Sequence, residues 1–120
     1  MIVGIHQPNY LPWIGLFHKM MRSDVFVLFD NAQYPKGSVA NRNKIKCPTG
    51  ELMLTVPVRI SKGHTQRMNE IEIVMEEKWR HKHWRTIQTC YRRAPCFPDY
   101  ANSFEAIYKQ SDYKVLADLN

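Results

Sequence analysis

The side chains best suited to chemistry cluster first in "IHQPNYLPWIG", residues 5–15. His6, Gln7, Asn9, Tyr10 and Trp13 bring an imidazole, two amides, a phenol and an indole into one short loop pinned by Pro8 and Pro12. An imidazole titrates near neutrality, so His6 offers proton transfer or a grip on phosphate. The alternative is a strand-end histidine bonded to a backbone carbonyl.

A second set lies in "DNAQYPKGSVANRNKIK", residues 30–46. Asp30 has the carboxylate to orient His6, hold a sugar hydroxyl or activate an attacking amine, or it caps an Asx-type turn with Asn31. Residues 31–50 carry Lys36, Arg42, Lys44 and Lys46 and no acidic residue. Such a loop can close over a mono- or diphosphate, with Arg42 giving a bidentate grip. Asn41, Asn43 and Tyr34 add directional contacts, and a solvated basic loop is the plain alternative.

The elements that must position these groups follow from periodicity. Residues 1–5 read as a short buried strand, and the two prolines make 6–12 a loop. From Trp13 to Arg22 the apolar residues recur at helical spacing. "DVFVLFD" is a second apolar run, short enough for a buried strand. Strand, loop, helix, strand is a βαβ unit, which predicts a right-handed crossover between parallel strands. Ligands bind beyond the carboxyl ends of such strands, where both polar segments emerge.

Residues 31–50 show no periodicity and are expected as a long polar loop. "LMLTVPVRI" and "IEIVM" are further strands, the first interrupted or at an edge because of Pro57. From Glu76 to Arg93 a helix places Trp79, His83, Trp84, Ile87, Cys90 and Tyr91 on one arc and a basic set on the other. Arg80 falls within the apolar arc, where it reaches a ligand or sits at the first turn, and His83 reads as a satisfied core histidine. Another helix begins at "FPDYANSFEAIYKQ", with Pro98 in its first turn. "SDYKVLADLN" reads as a helix start cut short, so the chain is expected to be part of a longer protein. The expected fold is α/β: one domain over 1–120, a small three-layer Rossmann-like sheet, mostly parallel, opening with the βαβ unit and ending in helices.

Composition narrows the function classes. Seventeen Lys+Arg against eleven Asp+Glu give a net charge of +6, which favours anionic partners without choosing among them. No apolar run approaches the ~20 residues of a membrane span. No secretory signal is apparent, and the odd set Cys47, Cys90 and Cys96, without a CxxC, suits free thiols in a reducing cytoplasm. No metal or cofactor is expected: GxGxxG, P-loop and GxSxG motifs are missing, and His81 and His83 face opposite sides of their helix.

Taken together, "IHQPNYLPWIGLFHKM", "DVFVLFDNAQYPKGSVANRNKIK", "LTVPV" and "WRHKHWRTIQTCYRRAPCF" resemble the WbqC-like family of bacterial proteins. The likeness covers most of the chain, including the rhythm of Trp79, His83, Ile87, Tyr91, Pro95 and Phe97. Members occur among genes for surface polysaccharide, including O-antigen, so the resemblance implies a cytoplasmic role in making or decorating an activated sugar. Its motifs point to His6, Gln7, Pro8, Tyr10, Pro12, Trp13, Asp30, Gln33, Asn41, Arg42 and Lys44. The chain departs from the pattern in its length, about half that of a usual member, and in Leu16, where a bulky aromatic is common.

The expected function is transfer of a small acyl or aminoacyl group to a nucleotide-linked sugar. His6 and Asp30 are the catalytic candidates. Gln7, Asn9, Tyr10, Trp13, Gln33, Lys36, Asn41, Arg42, Asn43 and Lys44 are the substrate-binding candidates. Lys36, Arg42 and Lys44 neutralise the diphosphate, and Tyr10 or Trp13 stacks on a ring. A non-catalytic phosphosugar-binding module and a nucleic-acid-binding basic domain are the rival readings. Partner polysaccharide-biosynthesis enzymes fit the first.

Overall fold

In the computed structural model, which describes all residues except 62–64, 76–77 and 111, the chain opens with the expected βαβ unit. Strand β1 (Val3–His6) runs into helix α1 (Ile14–Met21) and then β2 (Val25–Leu28). The two strands are parallel, with Val3 beside Val25 and His6 beside Leu28. Gly4 permits the close approach at the centre: a Cβ there would lie 2.3 Å from Ser23 Oγ and 2.8 Å from the Phe26 ring.

The expected polar loop over 31–50 is corrected by strand β3 (Arg42–Cys47), which pairs antiparallel with β4 (Gly50–Thr55) through a Pro48–Thr49 turn. Alternation explains both the strand and its concealment. Asn43, Ile45 and Cys47 face one way, and Arg42, Lys44 and Lys46 the other. Ile45 is the single classical apolar residue on the inner face, so a period-two hydrophobic signal never develops. Gly50 takes φ +126°, which a side chain would strain.

Pro57 interrupts the next run as expected, leaving β5 (Val58–Arg59) to pair antiparallel with β6 (Glu72–Ile73). A 3₁₀ turn at Met68–Glu70 precedes β6. Helices α2 (Trp79–Tyr91), α3 (Phe97–Lys109) and α4 (Leu116–Leu119) follow, with Pro98 in the first turn of α3. The α/β class therefore holds. The described strands form three separate pairs, one parallel and two antiparallel, rather than one mostly parallel three-layer sheet. Two-residue strands such as β5 and β6 have too few ladder bonds to extend a sheet across the molecule.

The core gathers side chains from both halves of the chain. Val56, Met68, Ile71 and Leu116 are its fully buried members, flanked by Tyr10, Tyr34, Trp79, Trp84 and Tyr108. The expected apolar arc of α2 is the buried one: Trp79, His83, Trp84 and Ile87 face inward, with Cys90 and Tyr91 packed at its margin. Arg80 leaves that arc sideways, donating to the carbonyls of Gln110 and Tyr113 (2.9 Å to the latter) and lying over the Trp79 ring. By contrast β1 and β2, expected as buried strands, keep Val3, Ile5, Val25 and Val27 exposed.

The free-thiol expectation is also corrected: Cys47 and Cys90 form a disulfide with Cα atoms 4.6 Å apart, and Cys96 is an exposed free thiol. The end of β3 meets the last turn of α2, a meeting 43 residues apart in sequence that no local spacing announces. Among the described residues, no helix is long and apolar enough to cross a membrane, and no group of three His, Cys, Asp or Glu side chains is placed to hold a metal ion.

Candidate functional site

Because β1 and β2 are parallel, His6 and Leu28 end at the same edge, and both polar segments leave from it. They are stitched together beyond that edge. The Tyr10 N–H donates to the Val39 carbonyl at 3.1 Å, and Asn43 Nδ2 donates to the Leu11 carbonyl at 2.7 Å. Between them lies a cavity of about 710 Å³, within the range of small-molecule sites. His6, Gln7, Asn9, Trp13, Ser38 and Asn43 supply its polar and aromatic wall.

His6 is half-buried, and its Nδ1 lies 2.8 Å from the Gln7 carbonyl. A carbonyl can only accept, so this contact assigns the proton to Nδ1 and leaves Nε2 as the basic nitrogen. The bonded strand-end histidine and the proton-transfer histidine are thus compatible readings of one geometry. Trp13 stands at the rim, two-thirds exposed, with its ring laid over Gly15. A Cβ on Gly15 would come within 2.1 Å of that ring, so the small residue of "WIG" creates the place where the indole rests. Leu11, between the two prolines, has φ 45°, a left-handed conformation that a leucine adopts at a cost of roughly 1–2 kcal/mol.

The remaining candidates lie elsewhere. Asp30 is half-buried at the end of β2, and its backbone carbonyl accepts from the Asn69 N–H. It does not line the His6 cavity. Gln33 and Lys36 line a separate cleft of about 390 Å³ that shares Pro35 with the first. Asn41 is buried, and its Nδ2 donates to the Val56 carbonyl at 3.0 Å. Arg42 donates to the Gly37 carbonyl, and Lys44 pairs with Glu51 at 2.7 Å on the exposed face of the hairpin. Burial raises the Tyr34 phenol above its ordinary value, and the nearby Arg42 charge offsets part of that rise.

Tyr10 turns inward, into the core. Its hydroxyl meets Tyr108 Oη and lies 2.8 Å from His83 Nδ1. His83 also bonds the Thr55 backbone, and burial lowers its pKa to about 4, so near neutrality the ring is uncharged. The ring N–H goes to Thr55, which leaves Nδ1 to accept the Tyr10 proton and Tyr10 oxygen to accept from Tyr108. Burial is the main reason the Tyr108 phenol is pushed up to about 12 and the Tyr10 phenol further still. The chain of groups holds the site loop to α2 and α3.

Ser38, Val39, Phe29 and Pro35 were not singled out by residue chemistry, yet they form part of the cavity wall. The signal that finds them is the backbone bond from Tyr10 to Val39, which exists only in three dimensions.

Fold and cleft define a small mixed α/β protein with a ligand-sized cavity at the carboxyl edge of a parallel strand pair. The chain belongs to the WbqC-like protein family, whose model matches residues 7–120. It is 34% identical over 118 residues to the "Uncharacterized protein Rv1507c" of Mycobacterium tuberculosis (strain ATCC 25618 / H37Rv). That match takes in 98% of this chain and 51% of the relative, so the chain spans about half the length of the curated relative it matches. No solved structure matches.

Proposed function

We propose that this protein acts in bacterial surface-polysaccharide biosynthesis, including that of O-antigen, by binding a nucleotide-linked amino sugar and transferring a small acyl or aminoacyl group to its amine. One observation carries the reading: His6, with Nδ1 tied to the Gln7 carbonyl, shares a cavity with Asn9, Trp13 and Asn43 at the carboxyl ends of parallel strands. A ring that stacks, amides that bond hydroxyls and an oriented base are the groups this chemistry needs.

In the reaction the sugar amine attacks the carbonyl carbon of an activated acyl donor, a thioester or ester. The C–N bond forms, the bond to the donor's leaving group breaks, and His6 Nε2 takes the amine proton and returns it to the leaving group. Lys36 reaches the diphosphate from the adjoining cleft, and Arg42 joins it by releasing the Gly37 carbonyl, whereas Lys44 stays paired with Glu51 on the far face of the hairpin and adds only its charge. A nucleotide-linked sugar is a cytoplasmic substrate and supports that compartment, while the Cys47–Cys90 disulfide is the observation that speaks against a reducing one.

A second reading, a phosphosugar-binding module without turnover, is favoured by the want of any carboxylate among the cavity-lining residues, Asp30 included. Calorimetric titration with a panel of nucleotide sugars, at two salt concentrations, tests both. Saturable binding lost in Trp13→Ala, with acyl transfer lost in His6→Ala, supports the enzyme. Binding with no turnover on any donor supports the module. Salt-sensitive binding to an oligonucleotide alone overturns both in favour of nucleic acid.

A further inference from the structure

We propose that the uncovered face of the β1–β2 pair is a docking surface for WbqC-family polypeptide, namely the part of the family's sequence that this chain does not span. The two faces of the pair differ in what meets them. One, carrying Gly4 and Phe26, is approached at its centre by Ser23, just beyond α1, with Leu28 at its end still half exposed. The other presents Val3, Ile5, Val25 and Val27 at 48%, 54%, 47% and 39% exposure, with Ile5 also at the margin of the His6 cavity. The register sets Val3 beside Val25 and Ile5 beside Val27, so the four side chains make one continuous apolar quadrilateral.

Parallel strands are apolar on both sides because both sides are normally covered. A bare aliphatic face on such a pair is a contact surface awaiting its partner. The strand edges point the same way. Val25 and Phe29 donate to the Ile2 and His6 carbonyls, so the alternate backbone groups, those of Phe26 and the Leu28 N–H, turn away from β1, while the Leu28 carbonyl accepts from the Asp30 N–H. Among the described residues no third strand pairs with either edge. The outer side of α1 is apolar too, with Ile14, Phe17 and Met21 exposed at helical spacing.

The length of the relative identifies the occupant. The match covers 51% of Rv1507c, so nearly as much sequence again lies outside it. That is ample for a strand along β2 and a crossover helix over the four aliphatic residues, which together need about 15–20 residues. The inference does not rest on the sugar-nucleotide reading.

The test uses this chain alone and a chimera in which it replaces the 118 matched residues of the Mycobacterium protein. Val27→Lys is made in both. In the chain alone Val27 faces solvent, and the expected melting temperature is unchanged. In the chimera the lysine is buried without a partner, and the expected fall is about 5 °C or more. Amide exchange of residues 25–28 is expected to slow at least tenfold in the unsubstituted chimera relative to the chain alone. A folded chimera with unchanged exchange and a neutral substitution overturns the proposal. So does a dimer of the chain alone that Val27→Lys dissociates, which assigns the face to a second copy. If the chimera fails to fold, the same substitution at the aligned residue of the intact relative gives the reading, and neutrality there overturns it.

Discussion

The phenol of Tyr10 donates to Nδ1 of His83 at 2.8 Å, joining the site loop to the buried face of α2 across 73 residues of sequence. Tyr108 completes the chain from α3, so three elements far apart in sequence converge on one hydrogen-bonded core group. A fully satisfied buried network of this kind specifies one arrangement, because any slippage leaves a buried polar atom without a partner.

Tyr10→Phe removes that partner from both His83 and Tyr108. The expected loss is about 1–3 kcal/mol of stability, read by denaturant unfolding. Tyr108→Phe leaves the Tyr10–His83 bond in place and is expected to cost less, about 1 kcal/mol.

His83 also sets a pH dependence. Its folded pKa, about 4, lies below the ordinary histidine value of about 6.5, so over that interval the unfolded chain binds the proton first. Stability is complete above about pH 6.5, falls as pH drops towards 4, and stops falling from this source below that. A tenfold difference in proton affinity between the folded and unfolded chain is worth about 1.4 kcal/mol, which brings the whole effect to a few kcal/mol. Urea midpoints measured from pH 7.5 to 4 are expected to show this slope, and His83→Gln, though less stable, is expected to flatten it.

The Cys47–Cys90 bond closes a loop with a sequence separation of 43 and so restricts the unfolded chain. Reduction is expected to cost about 2–4 kcal/mol, seen as a lowered melting temperature in dithiothreitol that Cys47→Ala reproduces without reductant. Thiol titration of the native protein is expected to find Cys96 alone reactive. Three reactive thiols after folding would instead place the pair in its reduced form.

Gly15→Ala tests the seat of the Trp13 ring. A Cβ 2.1 Å from the indole must displace it, but Trp13 is largely exposed and moves at little cost. Alanine also favours a helix over glycine, by less than the interior value at this second position of α1. The expected result is a shifted tryptophan emission and weakened nucleotide-sugar binding with no loss of melting temperature.

Where a signal was local, the chain could be read directly. The βαβ opening followed from the apolar run of "MIVGI", the Pro-bounded loop, a helical stripe and "DVFVLFD". The α2 arc and the Pro98 start of α3 followed equally from spacing. The strand Arg42–Cys47 escaped because its inner face carries asparagine and cysteine beside a single isoleucine. Tyr10 escaped for another reason: its neighbours suggested a stacking ring, but its partners His83 and Tyr108 lie 73 and 98 residues away.

By itself the sequence determined the family, the mixed α/β class, and the edge where His6, Gln7, Asn9 and Trp13 gather, because each depends on residues close together in the chain. Only the tertiary structure decided which polar groups share a cavity, which cysteines join, and which strand face stays bare. Those outcomes depend on distances between segments that meet only after folding, and hydrophobic periodicity tells which side of an element is apolar without telling what will cover it.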